Sequence, residues 1–129
     1  MNYANIIGTG TYVPEKIVDN HMLSELVETS DEWIRTRTGI KERRISTGEN
    51  TSDLALKASE AALENAGMSP EDLDMIILST LTPDYFTPAT ACLVQRRLGA
   101  ENAAAFDVSA ACSGFLYGLD VADSFIKAG

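Results

Sequence analysis

Residues 103–118 read AAAFDVSAACSGFLYG. The first part, 103–108, is apolar apart from Asp107 and shows no polar alternation, the pattern of a strand covered on both faces. Ser109, Ala110 and Ala111 are small enough for a tight corner. From Ser113 onward apolar residues return at helical spacing, so 113–127 reads as a helix. A buried strand turning sharply into a helix is a building unit of α/β proteins. Working outward, the same alternation recurs. A second buried strand fits 75–80 (MIILST), and a helix over 88–98, closed by Gly99, lies between the two strands. Before them, 51–66 is the clearest amphipathic helix. Leu54, Ala55, Ala58, Ala61, Ala62 and Ala66 make one narrow face, and Lys57, Glu60 and Glu64 the other. Gly67 ends it and Pro70 follows. So many alanines point to close packing onto a sheet rather than a bulky core.

Nearer the N-terminus the signals are shorter. A β-like run at 4–8 is closed by Gly8, Gly10 and Pro14. A helix enters at Val18-Asp19-Asn20, where Asp19 or Asn20 can cap and Met22, Leu23, Leu26 and Val27 recur at helical spacing. A second short helix fits 30–38, with Ser30 as cap and Gly39 as stop. A strand fits 41–46. The order β–α–α–β–α–β–α–β–α predicts an α/β fold, a mixed sheet with helices on both faces, as a single domain over 1–129. The last helix is awkward. Phe115, Leu116, Leu119, Val121, Ala122, Phe125 and Ile126 cover more than half its circumference, so it is expected to need cover from more than one side.

With 129 residues, 45% hydrophobic and 22% charged, the chain has room for one core. Nineteen acidic against ten basic residues give a formal charge of −9, which argues against a nucleic-acid binder. No stretch approaches the roughly 18 apolar residues of a membrane span. The start, MNYANIIGTG, lacks the charged and long apolar regions of a signal peptide. Two cysteines are too few for a disulfide framework, and a reducing, cytoplasmic setting is expected. One histidine, His21, expected at the surface, and two distant cysteines offer no zinc set. Gly8-Thr9-Gly10 is half of a dinucleotide fingerprint, but Val13 stands at the third glycine position, so a turn is expected.

Cys112 stands where the corner enters the helix. Free amides at a helix start favour negative charge on sulfur by about 0.3–2 kcal/mol, and thiolate is the nucleophilic form. Ala110, Ala111 and Gly114 leave room for a carbonyl to approach. The logic is that of a nucleophile elbow, although the sequence is not G-x-S-x-G. Cysteine is also a common small core residue, and position alone leaves the two readings level. Cys92, among Ala91, Leu93 and Val94 on a helix, is expected in the core.

Five of the ten Lys and Arg residues fall within 35–44: Arg35, Arg37, Lys41, Arg43 and Arg44. The single tryptophan, Trp33, lies just upstream. Guanidinium groups grip phosphates and an indole can stack on a nucleobase, a pairing that suits coenzyme A. On the residues alone, a solvated loop is the commoner outcome of such a run.

Several segments together are similar to those of one family. DVSAACSGFLYGL resembles the active-site segment of β-ketoacyl-acyl carrier protein synthase III, a thiolase-fold condensing enzyme. IIGTGTYVPEKIVDN resembles the family's N-terminal strand and turn, TSDEWIRTRTGIKERRI is highly specific to it, and TPDYFTP before a helix is also similar. The resemblance implies a thiolase-like fold, of which this chain would be the N-terminal half only. It implies that Cys112 takes an acyl group from acyl-CoA as a thioester, with malonyl-acyl carrier protein as the second substrate and no separate cofactor or metal. It matches Trp33 and Arg37 to the pair that sandwiches the adenine and Thr29 to a threonine near that ring. Arg35, Lys41, Arg43 and Arg44 are left as electrostatic support or, as a runner-up, a dock for the acidic carrier protein. Asp84 and Tyr85 are expected in a turn of the loop that lines the family's acyl pocket, partly across a homodimer interface. Thr87 stands where some members carry phenylalanine, which would leave space for a longer or branched primer.

Family members are longer, and their catalytic histidine and asparagine come from the C-terminal half. Those two donors stabilise the enolate formed when malonyl thioester loses carbon dioxide. Nothing in this chain replaces that histidine, so the chain alone is expected to be inactive in condensation and, with its last helix uncovered, to self-associate. Two alternatives stand beside this reading: a related starter synthase of secondary metabolism, and a non-catalytic half-domain. Hydroxymethylglutaryl-CoA synthase is disfavoured because Leu81 stands where its glutamate is expected.

Overall fold

The computed structural model describes residues 4–129; residues 1–3, where the N-terminal reading begins, lie outside the described residues. Its elements in chain order are β1 (Lys16–Asp19), α1 (Asn20–Ser24), α2 (Asp31–Thr38), β2 (Glu42–Ile45), α3 (Thr51–Ala66), β3 (Met75–Ser79), α4 (Thr90–Leu98), β4 (Ala104–Val108) and α5 (Gly114–Ala128). Short 3₁₀ turns lie at Pro70–Asp72 and Ala111–Ser113. The chain divides into two compact units: Val13–Glu49, and residues 4–12 together with Asn50–Gly129.

In the first unit β1 and β2 pair antiparallel, with Lys16 opposite Ile45 and Asp19 opposite Glu42. Asp19 Oδ1 accepts the Met22 amide at 2.8 Å and starts α1, as a capping aspartate does. Ser30 caps α2 through Trp33 N–H at 3.1 Å, and Gly39, at φ 72°, ends it in the left-handed conformation that glycine adopts without steric cost. Val18, Asn20 and Ile34 are its buried residues.

In the second unit β3 and β4 pair parallel from Met75–Ala104 to Ser79–Val108. Paired residues share a face, and successive residues alternate faces. Gly114 and Gly118 of α5 approach Ser79 and Ile77 on one face. The Asp107 carboxylate, on the other face with Leu78, accepts amides of α4. Helices therefore cover both faces of the parallel pair. The alanine face of α3 meets the glycine-rich segment. A Cβ built on Gly10 would lie 2.2 Å from Ala58 O and Ala62 N, and one on Gly8 2.7 Å from Ala66 Cβ.

Four sequence expectations need correction. Residues 4–8 form no strand: the Ala4 amide bonds the Asp123 carboxylate and Thr9 N–H donates to Asn65 Oδ1 at 3.0 Å, so side chains take the donors a neighbouring strand would use. The first strand is instead Lys16–Asp19, whose partner 25 or so residues on is invisible to local pattern. The helix expected to reach Val27 stops at Ser24, and the Leu26 and Val27 amides share the Leu23 carbonyl. Finally, α5 begins at Gly114 rather than Ser113, after the 3₁₀ turn that holds Cys112. His21 is exposed, and Gly8 and Gly10 serve close packing rather than a turn.

Candidate functional site

The corner after β4 sets the position of Cys112. Asp107 bonds Thr90 N–H and Ala91 N–H at 2.7 Å each, and Thr80 N–H donates to Val108 O at 3.1 Å, so the strand end is fixed. Ala110 then bends away (φ −144°, ψ 31°), and Ala111 has φ +48°, the single positive φ among non-glycine residues described. A left-handed alanine costs roughly 1–2 kcal/mol. The strained residue immediately precedes Cys112. Cys112 is indeed exposed, with a free thiol. It lines a groove of about 1320 Å³ together with Ala111, Phe115, Gly118, Ile77 and Ser79. Cys92 is half-buried, its Sγ 3.6 Å from Ala105 O, in keeping with a core role.

The other candidates lie in the Val13–Glu49 unit. Trp33 is 52% exposed on α2, and Arg37, one turn on, lays its guanidinium 4.5 Å from the indole centroid. Thr29, half-buried, immediately precedes the Ser30 cap. The basic island itself divides. Arg43 donates to Val18 O at 3.0 Å and to Asn20 Oδ1 at 2.5 Å. Arg44 reaches Pro14 O at 3.4 Å and Glu15 O at 3.3 Å, and Arg35 pairs with Asp31 at 3.4 Å. These three side chains are thus oriented by the protein, Arg43 and Arg44 through neutral oxygens that leave their charge in place. Asn20, 1% exposed, completes the network by donating to Asp31 and to Ile40 O, both at 2.8 Å. That bond, with a smaller contribution from Arg35, holds the Asp31 carboxyl below its ordinary range.

Two acids escaped the sequence reading. Asp107 caps α4 from a neighbouring strand, since Ala89 at the cap position offers no side-chain oxygen. A lone acid inside an apolar strand was the available signal. Asp84, expected as a turn residue, accepts Ser52 N–H at 2.9 Å and Ser52 Oγ–H at 2.6 Å. Arg97 donates to the same Oγ at 3.2 Å and pairs with Asp53 at 2.8 Å. The Asn50 amide, then Arg97, depress the Asp53 carboxyl. This clasp holds the loop before α4. Among the described residues no cluster of His, Cys, Asp or Glu could hold a metal, and no helix is long and apolar enough to cross a membrane.

A family model for 3-oxoacyl-[acyl-carrier-protein] synthase III matches residues 106–129, the strand end, corner and α5. A β-ketoacyl-[acyl-carrier-protein] synthase III of Clostridium acetobutylicum is 58% identical over 129 residues, 100% of this chain and 40% of its own length. A crystal structure of the Aquifex aeolicus synthase III superposes with a TM-score of 0.94 at 56% identity, covering 100% of this chain and 41% of that one. The priming β-ketosynthase of the R1128 polyketide pathway superposes with a TM-score of 0.92 at 38% identity, covering 95% of this chain and 37% of that one. The chain thus spans about 40% of the length of the curated relatives it matches. Its sequence and its thiolase-like fold agree: over its whole length the chain is similar to the N-terminal portion of β-ketoacyl-acyl carrier protein synthase III.

Proposed function

We propose that this chain carries the acyl-accepting nucleophile and the nucleotide platform of an enzyme that starts fatty-acid synthesis. The observation that carries this reading is the exposed Cys112 on a strained corner beside a groove. The Cys112 thiolate attacks the thioester carbonyl of acetyl-CoA. A tetrahedral oxyanion forms and collapses, the acyl group stays on sulfur, and coenzyme A leaves as its thiolate. Malonyl-acyl carrier protein then loses carbon dioxide, its carbanion attacks the Cys112 thioester, and the cysteine thiolate leaves as the β-ketoacyl product forms. Coenzyme A is a substrate here, stacked by Trp33 with Arg37 and flanked by Thr29, and no resident cofactor is invoked. The working enzyme is a cytoplasmic homodimer. Donors for the enolate come from residues outside this chain, so the 129-residue chain is expected to accept an acetyl group and to catalyse no condensation.

Mass spectrometry of the full-length protein incubated with acetyl-CoA tests the first step. One acetyl group per chain is expected, lost in Cys112→Ser and kept in Cys92→Ser. Absence of an adduct dependent on Cys112 ends this reading. A second reading, priming in a secondary-metabolite pathway, draws support from the 38% identity to the priming β-ketosynthase. Acceptance of a primer longer than acetyl in preference to it, by the same mass assay, would favour that reading.

A further inference from the structure

We infer that Ser79 is a positioning residue for Cys112, acting through the first turn of α5; the inference rests on the proposed role of Cys112 as acyl acceptor. Among the described residues no hydrogen bond reaches the Cys112 sulfur, so its place is set by the backbone on either side. Upstream, the Asp107 and Val108 bonds fix the strand end. Downstream, two residues past the cysteine, Ser79 Oγ–H donates to Gly114 O at 2.8 Å. The helix sits on this one side chain as closely as glycine permits. A Cβ on Gly114 would lie 3.2 Å from Ser79 Cβ, and one on Gly118 would lie 3.2 Å from Ser79 Oγ. Between the two anchors lies Ala111 at φ +48°, a conformation that relaxes unless both ends are held.

The bond has a second effect. The peptide unit whose carbonyl accepts from Ser79 also carries the Phe115 N–H, in the first turn where amides have no helical partner. A hydrogen bond to the carbonyl polarises the whole unit and makes that N–H a better donor. Ser79 therefore fixes where α5 begins and strengthens an amide at the end nearest the sulfur. It lines the same groove as Cys112.

The test compares the two cysteines within the full-length protein. Ser79→Ala removes one oxygen from an exposed side chain. The rate of Cys112 alkylation by iodoacetamide, followed by peptide mass mapping, should fall about threefold to tenfold, the span one hydrogen bond's net strength converts to. Cys92, the internal control, should not change. With acetyl-CoA, the saturating acylation rate should fall by the same factor while the half-saturating concentration stays put. Gly118→Ala approaches the same bond from the helix side by crowding Ser79 Oγ, and should lower the Cys112 rate selectively as well. An unchanged Cys112 rate in both variants, or an equal rise at both cysteines, overturns the inference. If the unmutated protein takes no acetyl group yet the selective loss of alkylation stands, the acyl-transfer reading falls and the positioning role survives.

Discussion

Trp33 is the sole tryptophan of the 129 residues, so the fluorescence of this chain reports directly on whatever stacks against it. Coenzyme A should quench it. Arg37→Ala should raise the dissociation constant about twofold to fivefold, the worth of an exposed cation–π contact of roughly 0.5–1 kcal/mol. Trp33→Ala, followed by calorimetry, should raise it about tenfold, since base–aromatic stacking is worth roughly 1–3 kcal/mol. Unchanged affinity in both would remove the platform. Arg43→Ala should behave in the opposite way. It strips a charged partner from the buried Asn20 and should cost about 1–3 kcal/mol in urea unfolding with little effect on coenzyme A. The contrast marks what a sequence shows at this scale. Trp33 and Arg37 stand four apart, so their shared helical face is written in the spacing. Arg43 and Arg44 look equivalent in the string, yet adjacent strand residues point to opposite faces, and only the pairing of β2 with β1 decides that Val18 and Asn20 receive one of them.

Elements were legible where local chemistry closes them. Ser30 and Gly39 bound α2, and Gly67 at φ 64° ends α3, as their residue types indicate. They were illegible where a remote group does the closing. Helix α4 has Ala89 at its cap position, and Asp107, 17 residues from Thr90, supplies both missing acceptors. Asp107→Asn leaves one acceptor and removes the charge, so thermal unfolding should show a loss of about 1–2 kcal/mol, the worth of an N-cap with charge-assisted bonds. A change below a few tenths would mean that water replaces the carboxylate. Gly10 carries the same lesson for packing. Its backbone lies against the Ala58–Ala62 stretch of α3, where an added Cβ would meet backbone atoms at 2.2 Å. Backbone cannot step aside as a side chain can, so Gly10→Ala should destabilise by about 3 kcal/mol, read in the same melt. The alanines of α3 announced a close approach, but to a sheet, whereas the irregular segment of glycines 8 and 10 makes it.

After the first strand, the order of strands and helices follows the hydrophobic periods, while the place of β1 and the senses of the two strand pairs follow from contacts no period contains. Electrostatics at this scale yields a sharper expectation. Asp31, Asp53 and Asp123 all have carboxyls held below their ordinary value, by the Asn20 amide, by the Asn50 backbone N–H and by Lys127 respectively as the largest causes. A carboxyl whose folded value lies below its unfolded one binds fewer protons in the native state. Its contribution is fully present above the unfolded value of about 3.9 and is lost as pH falls through the lowered folded value. Melting temperature should therefore hold steady from neutral pH down to about pH 5 as far as these groups decide it, then fall progressively below about pH 4. All three carboxyls are solvent-accessible pairs, so salt should blunt part of the effect. The hydrogen bonds from Asn20 and Asn50 are short at 2.8 Å and should leave a residue of it at high salt. The triple variant Asp31→Asn, Asp53→Asn, Asp123→Asn should melt lower at neutral pH and show a shallower decline between about pH 4 and pH 2, because fewer native carboxylates remain to be protonated. An equally steep decline in the variant, measured by circular dichroism at matched ionic strength, would place the acid sensitivity in carboxylates other than these three.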